Sequence, residues 1–198
     1  MRSKWLLFAI FLFLLYTFTV NFILDPEATQ FLAHKDKLPK NSDAWLLVMR
    51  IHTIFASIAL LTGALNFLTP HRKRLHRSLG LLYCIAVLGT VVTSGYMAPT
   101  ATGGKVTSMV FNLLELAWLA STFMAVLHIL RKNLRKHRNW MIRSFVICFT
   151  NFFVHLIAYL LHAIFDLDYR DAYVFGVYGS IVINLSLAEY WIWRSARR

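Results

Sequence analysis

The chain has 198 residues, 58% hydrophobic and only 15% charged, whereas a soluble domain of this size carries roughly 25% charged residues. A formal charge of +12 would raise nucleic acid as a partner, but the basic residues sit in short loops between long apolar runs, so they are assigned to membrane topology and nucleic acid is excluded. Cys84 and Cys148 both lie inside apolar runs and form neither a disulfide framework nor a Cys-x-x-Cys motif, which makes them buried, inert thiols.

Crossing about 30 Å of hydrocarbon takes about 20 apolar residues. Six segments meet that length, at 5–24, 44–69, 79–98, 106–130, 140–165 and 172–193. The first follows Arg2 and Lys4; it is longer than the apolar core of a signal peptide and lacks a small-residue cleavage site, so it reads as a retained span. In lipid each segment must satisfy its own backbone hydrogen bonds, so each is predicted to be a helix. No intervening loop is long enough to host separate chemistry. The expected fold is all-α, one six-helix transmembrane domain over residues 1–198.

Loop charge orients the bundle. With the N-terminus cytoplasmic, the inner loops and termini hold Arg2, Lys4, Arg72, Lys73, Arg74, Arg77, Arg131, Lys132, Arg135, Lys136, Arg138, Arg194, Arg197 and Arg198. The outer loops hold only Lys35, Lys37, Lys40, Lys105 and Arg170, and they carry Asp25, Glu27, Asp36, Asp43, Asp166, Asp168 and Asp171. Trp5, Trp140, Trp191 and Trp193 mark the inner boundaries and Trp45 an outer one, as interfacial tryptophans do. Both termini are therefore expected in the cytoplasm, with the bacterial cytoplasmic membrane as the expected location.

Ionisable groups inside the spans are costly and point to function. Arg50 and His52 lie on the second span, Glu115 on the fourth, His155 and His162 on the fifth. At 1.5 Å per residue, His52 lies roughly 10–12 Å below the outer boundary, and Glu115 and His155 roughly 14–15 Å, so three helices offer polar groups in one layer. His137 and His155 are 18 residues apart, five turns of one helix, and Ser144, Cys148 and Asn151 lie along the stripe between them. Below His52 the small residues Ala56, Ala59 and Gly63 lead to Asn66, a face that would admit a flat group or a closely packed helix.

Imidazoles at matched depth suit axial ligation of haem iron, and His52 with His155 form one candidate pair. At the inner face His137 could pair with His76 or with His128, and the spacing does not choose between them. The same face offers an anion site built from His71, Arg72, Arg74, His76, Arg135, His137 and Arg138. Arg50 and Glu115, buried polar candidates, either pair with each other or line a pocket with His52 and His155. No spans are interrupted by Gly or Pro and no internal repeat is visible, as many transporters would require.

Several runs together resemble a known family: Met49-Arg50-Ile51-His52, Leu61-Thr62-Gly63-Ala64-Leu65-Asn66-Phe67, Arg74-Leu75-His76-Arg77-Ser78-Leu79-Gly80, Ala101-Thr102-Gly103-Gly104 and His137-Arg138-Asn139-Trp140-Met141-Ile142-Arg143-Ser144. Their order, over roughly residues 45 to 145, is similar to that of the membrane proteins grouped as domain of unknown function 2306. The family pattern singles out His52, His76, His137, Trp140, Met141 and Arg143; it commonly places an arginine near the position of His155, where this chain departs from it. The helical arrangement resembles the di-haem membrane cytochromes, among them cytochrome b561 and the ferric-reductase-like proteins. The resemblance implies haem b and electron transfer, with a quinol or a cytoplasmic reductant as donor. The competing expectation is a non-haem permease, or a structural membrane subunit, with a buried Arg/His/Glu pocket.

Overall fold

The structure, a computed structural model, describes residues 2–197. Its residues pack as two units, one through Met97 and the other from Ala98. The described residues are helical throughout apart from short turns and loops, without strands.

The first unit holds α1 (Arg2–Phe18), α2 (Thr29–Ala33), α3 (Ser42–Leu68) and α4 (Lys73–Met97). The expected first span is α1 extended by a wider π-helical turn, Thr19–Leu24, which closes through Asp25 N–H to Val20 O at 2.9 Å. Most of its large apolar side chains, including Phe8, Phe11, Leu12 and Leu15, are exposed, as suits a helix facing lipid. Between α1 and α3 the chain folds into a small cap. The Asp25 carboxylate accepts the Thr29 amide and hydroxyl, both at 2.8 Å, and the Gln30 amide at 3.0 Å. The Thr29 hydrogen bonds hold this carboxyl below its ordinary pKa.

Below that turn Ala28, Trp45 and Met49 form a buried cluster with Phe31, Leu32, Leu46 and Met97 against it. Phe31 and Trp45 stack with centroids 6.0 Å apart, and the Lys35 ammonium lies 4.7 and 4.6 Å from their centroids. Burial lowers the Lys35 pKa to about 8, while the two ring faces favour its charged form.

α3 starts at Asn41, whose side chain accepts the Ala44 amide at 3.0 Å, with Asp43 in the first turn where the helix dipole favours an acid. It pairs antiparallel with α4. His52 meets Thr93, the ring of Phe55 lies where a side chain on Gly89 would go, and Asn66 meets His76 and Gly80.

The second unit holds a 3₁₀ turn (Ala98–Thr100), then α5 (Gly104–Leu130), α6 (Leu134–Ile147), α7 (Thr150–Phe165) and α8 (Tyr169–Ala196). α5 starts after Gly103, whose φ of 86° and the closeness of Thr107 and Val174 leave no room for a Cβ. α7 and α8 close on a cluster of Val154, Ala158, Ala172, Tyr173 and Val177, with Val110 and Phe111 of α5 against it.

Among the described residues five helices are long and apolar enough to cross a membrane, and a bent pair, α6 with α7, makes a sixth when read as one span. That pair corrects the expectation of one continuous helix over 140–165: α6 and α7 meet at an angle of 42°. No Gly or Pro lies there, so the cause is hydrogen bonding. The amides of Cys148 and Phe149 turn to the carbonyls of Phe145 and Val146, both at 3.1 Å, tightening the last turn of α6. The Thr150 hydroxyl donates to Ile147 O at 2.7 Å and accepts from Asn184 Nδ2 of α8 at 2.9 Å. A side chain inserted among the backbone bonds of a helix bends it. The break also ends the five-turn register between His137 and His155: the two now stand on separate helices.

Candidate functional site

In the first unit the polar groups of α3 are built into its own surroundings. Arg50 turns up toward the cap, where Nη2 donates to Pro26 O at 2.8 Å. Its buried Nε meets no acceptor among the described residues. Half a turn on, His52 is half-buried with Nδ1 3.0 Å from Thr93 Oγ1. The Thr93 hydroxyl is already committed as donor, to Gly89 O at 2.7 Å and Thr90 O at 2.9 Å. With its proton on one of those carbonyls, the Thr93 oxygen is placed to accept from His52 Nδ1, which leaves the lone pair on Nε2. Thr93 lies in an unremarkable apolar run, and nothing in the sequence ties it to His52.

His76 is placed differently. Asn66 is buried, and its amide is oriented with NH₂ toward the first turn of α4. It donates to His76 O at 3.0 Å and to His76 Nδ1 at 3.3 Å, while its oxygen accepts the Gly80 amide at 2.9 Å. A Cβ on Gly80 would lie 3.4 Å from this amide. Accepting at Nδ1 puts the ring proton on Nε2, the opposite tautomer to that of His52. Three positions of the motif thus form one knot tying α3 to α4. Asn66, expected at the end of an open small-residue face, is packing.

In the second unit the motif around His137 ties three helices. His137 Nδ1 donates to Ala125 O of α5 at 2.9 Å, leaving Nε2 as its basic nitrogen. Ala125 lies one turn before His128, which is buried in the last turn of α5. Ser144 and Thr122 share a buried hydroxyl pair at 2.7 Å. Arg143 stacks over Trp140 at 4.8 Å and grips Glu189 of α8 through Nε at 2.7 Å and Nη2 at 3.2 Å. That fork is the bidentate geometry arginine favours. Glu189 was legible as a clue: it is the one acid among the basic residues of that end of the chain.

Farther along, His155 lies on an exposed face of α7, edge-on to Tyr173 with ring centroids 5.9 Å apart. His162, also exposed, donates from Nδ1 to Leu167 O at 2.7 Å. Glu115 is half-buried on α5. Around the break, Asn184 is buried to 1% exposure, with Nδ2 on Thr150 and Oδ1 meeting no donor among the described residues. No three His, Cys, Asp or Glu side chains gather as a metal site among those residues.

The anion surface expected over both inner loops is divided. His76 and His137 turn into the hydrogen bonds just described, whereas Arg135 and Arg138 stay exposed. These two, with Leu134, Asn139, Ile192, Ser195 and Ala196, line a cavity of about 270 Å³ between the first turns of α6 and the last of α8.

The family model DUF2306, described as a predicted membrane protein, covers residues 49–192. No curated protein and no solved structure matches.

Proposed function

This chain belongs to the DUF2306 family of predicted membrane proteins, and from its own histidines we propose that it is a b-type haem protein moving electrons across or within the bilayer. The carrying observation is His52: an imidazole held by Thr93 through Nδ1, so that its basic Nε2 is available for iron. Ligating histidines in general donate their other N–H to a fixed oxygen acceptor, which sets the tautomer and the ring plane. His137 is likewise anchored through Nδ1, on Ala125 O. His76 does not fit the role, since its Nδ1 accepts the Asn66 amide. In this reading His52 is a ligand of an outer haem, and His137 with His128 hold an inner one.

Haem so held would supply a one-electron carrier, fed by a quinol or a cytoplasmic reductant. The protein's own part is to orient the rings and exclude water. Thr93 is a positioning residue for His52, with no direct role at the metal. Protein purified from a haem-replete host should show a Soret band and, on reduction, sharp α-bands. His52→Ala should remove one spectral component, and Thr93→Val should shift its midpoint potential while keeping the band. A colourless, stable, monodisperse preparation would end this reading.

The fold is proposed to sit in the bacterial cytoplasmic membrane with its basic ends inside. Reporter fusions at Lys35, Thr102 and Asp168 should read as external, and those at Arg74 and Arg135 as internal. Opposite locations for residues 35 and 102 would overturn that orientation.

One observation favours a second reading, a small permease. The bend between α6 and α7, flanked by buried Thr150 and Asn184, is the kind of interrupted span in which transporters bind substrate. It is tested by the same preparation: solute or proton flux in proteoliposomes from colourless protein, abolished by Asn184→Leu, would favour it over the haem reading.

A further inference from the structure

The cavity at the basic end of α6 and α8 has the chemistry of an anion site independent of any haem. Arg135 and Arg138 enter it from successive turns of α6, Asn139 from beside them, and Ser195 from the facing turn of α8. Arg138 Nη2 donates to Ser195 Oγ at 3.2 Å, which holds the guanidinium at the cavity edge. Three neighbouring cations are engaged elsewhere: Arg143 with Glu189, Arg194 with the Tyr190 hydroxyl at 3.4 Å, and Arg197 over the Trp193 ring at 3.8 Å. In this unit Asp166, Asp168 and Asp171 lie at the opposite ends of α7 and α8, and Glu189 already holds Arg143. Among the described residues, no side-chain carboxylate of this end is left for the cavity's two arginines.

Two further features suit an anion. The cavity opens at the first turns of α6, whose N-terminal amides and dipole favour negative charge. Its remaining walls, Leu134, Ile192 and Ala196, are apolar, and Leu134, Trp191 and Trp193 beside it are exposed. A volume of about 270 Å³ is smaller than that of most drug-sized ligand pockets, roughly 300–1,000 Å³, so it suits a compact head group.

We infer that this cavity binds a phosphate group, with Arg135 and Arg138 as its ligands and Ser195 positioning Arg138. The apolar walls and flanking tryptophans favour an anionic phospholipid as the source, its phosphate in the cavity and its chains along α8. Arginine suits the role because its planar fork grips two phosphate oxygens at once.

Native mass spectrometry of the full chain, exchanged into detergent with equal amounts of phosphatidylglycerol and phosphatidylcholine, reads the site directly. The wild type should retain phosphatidylglycerol selectively. Arg135→Gln with Arg138→Gln should lower that selectivity roughly 30-fold, about five-fold for each arginine near the head groups. Ser195→Leu, which fills the cavity without changing charge, should also lower it. Arg194→Gln with Arg197→Gln should leave it intact. A parallel titration with inorganic phosphate separates the sources. Displacement of the lipid at millimolar phosphate shows the site accepts the group from either source, and stabilisation by phosphate with no lipid retention makes the soluble ion the ligand. No selectivity in the wild type together with no stabilisation by phosphate, or selectivity unchanged in both the arginine pair and Ser195→Leu, would overturn the assignment. A third outcome would also do so: selectivity lost equally in the Arg194/Arg197 control, since that reports only surface charge.

Discussion

Gly176→Ala is expected to lower the stability of the second unit by about 3 kcal/mol, the upper range for overpacking a tight core. A Cβ there would lie 2.5 Å from the backbone oxygen of Val154, 3.3 Å from its carbonyl carbon and 3.4 Å from Ala158 N. None of these atoms can rotate away as a side-chain tip does. The substitution must push α7 off α8, and their cluster of Val154, Ala158, Ala172, Tyr173 and Val177 opens with them. Two other glycines calibrate the effect. A Cβ on Gly179 meets Ile157 Cδ1 at 2.9 Å, a flexible end that can move, so Gly179→Ala should cost less. Gly95 has open space around it, and Gly95→Ala should be neutral or stabilise by up to ~1 kcal/mol through helix propensity. The measurement is reversible unfolding of the three variants in mixed micelles. Equal midpoints for Gly176→Ala and Gly95→Ala would show that the α7–α8 approach is looser than described.

Asn66→Leu should cost about 2–3 kcal/mol, since the buried amide bonds lost at His76 O, His76 Nδ1 and Gly80 N leave polar groups without replacements. His76→Ala is the informative partner. It keeps the His76 carbonyl and the Gly80 amide, so it loses only the 3.3 Å ring contact and should cost ~1 kcal/mol or less. Neither variant should change the visible spectrum if His76 is a packing residue. Loss of a haem band in His76→Ala, with the band retained in Asn66→Leu, would restore His76 as a ligand and refute the tautomer argument. A double substitution no worse than Asn66→Leu alone would show that the His76 ring acts only through the amide.

The motif that marks this family was legible in the sequence, but much of it turns out to hold helices together. Asn66, His76 and Gly80 join α3 to α4, His137 joins α6 to α5, and Arg143 joins α6 to α8 through Glu189. Motif residues in a lipid-embedded bundle are drawn to this role because apolar burial does little to hold helix to helix there, so polar pairs and close small-residue contacts specify the packing. His52 meets the Thr93 hydroxyl of α4 through Nδ1. Thr93 is separated from it by 41 positions and could not be found by counting along either helix.

Composition and hydropathy by themselves determined that this is an all-helical membrane protein and located all six apolar segments, because the bilayer imposes one length and one backbone solution on every span. They also separated the basic from the acidic loops, since that separation is written in residue types alone. Only the tertiary structure decided where a span breaks. An apolar run such as 140–165 carries no sign of a bend when the agents are a threonine hydroxyl and an asparagine from α8. It likewise decided which imidazole nitrogen carries the proton and which arginines are held by an acid. Those properties belong to pairs of groups on different helices, and a one-dimensional pattern holds only one member of each pair at a time.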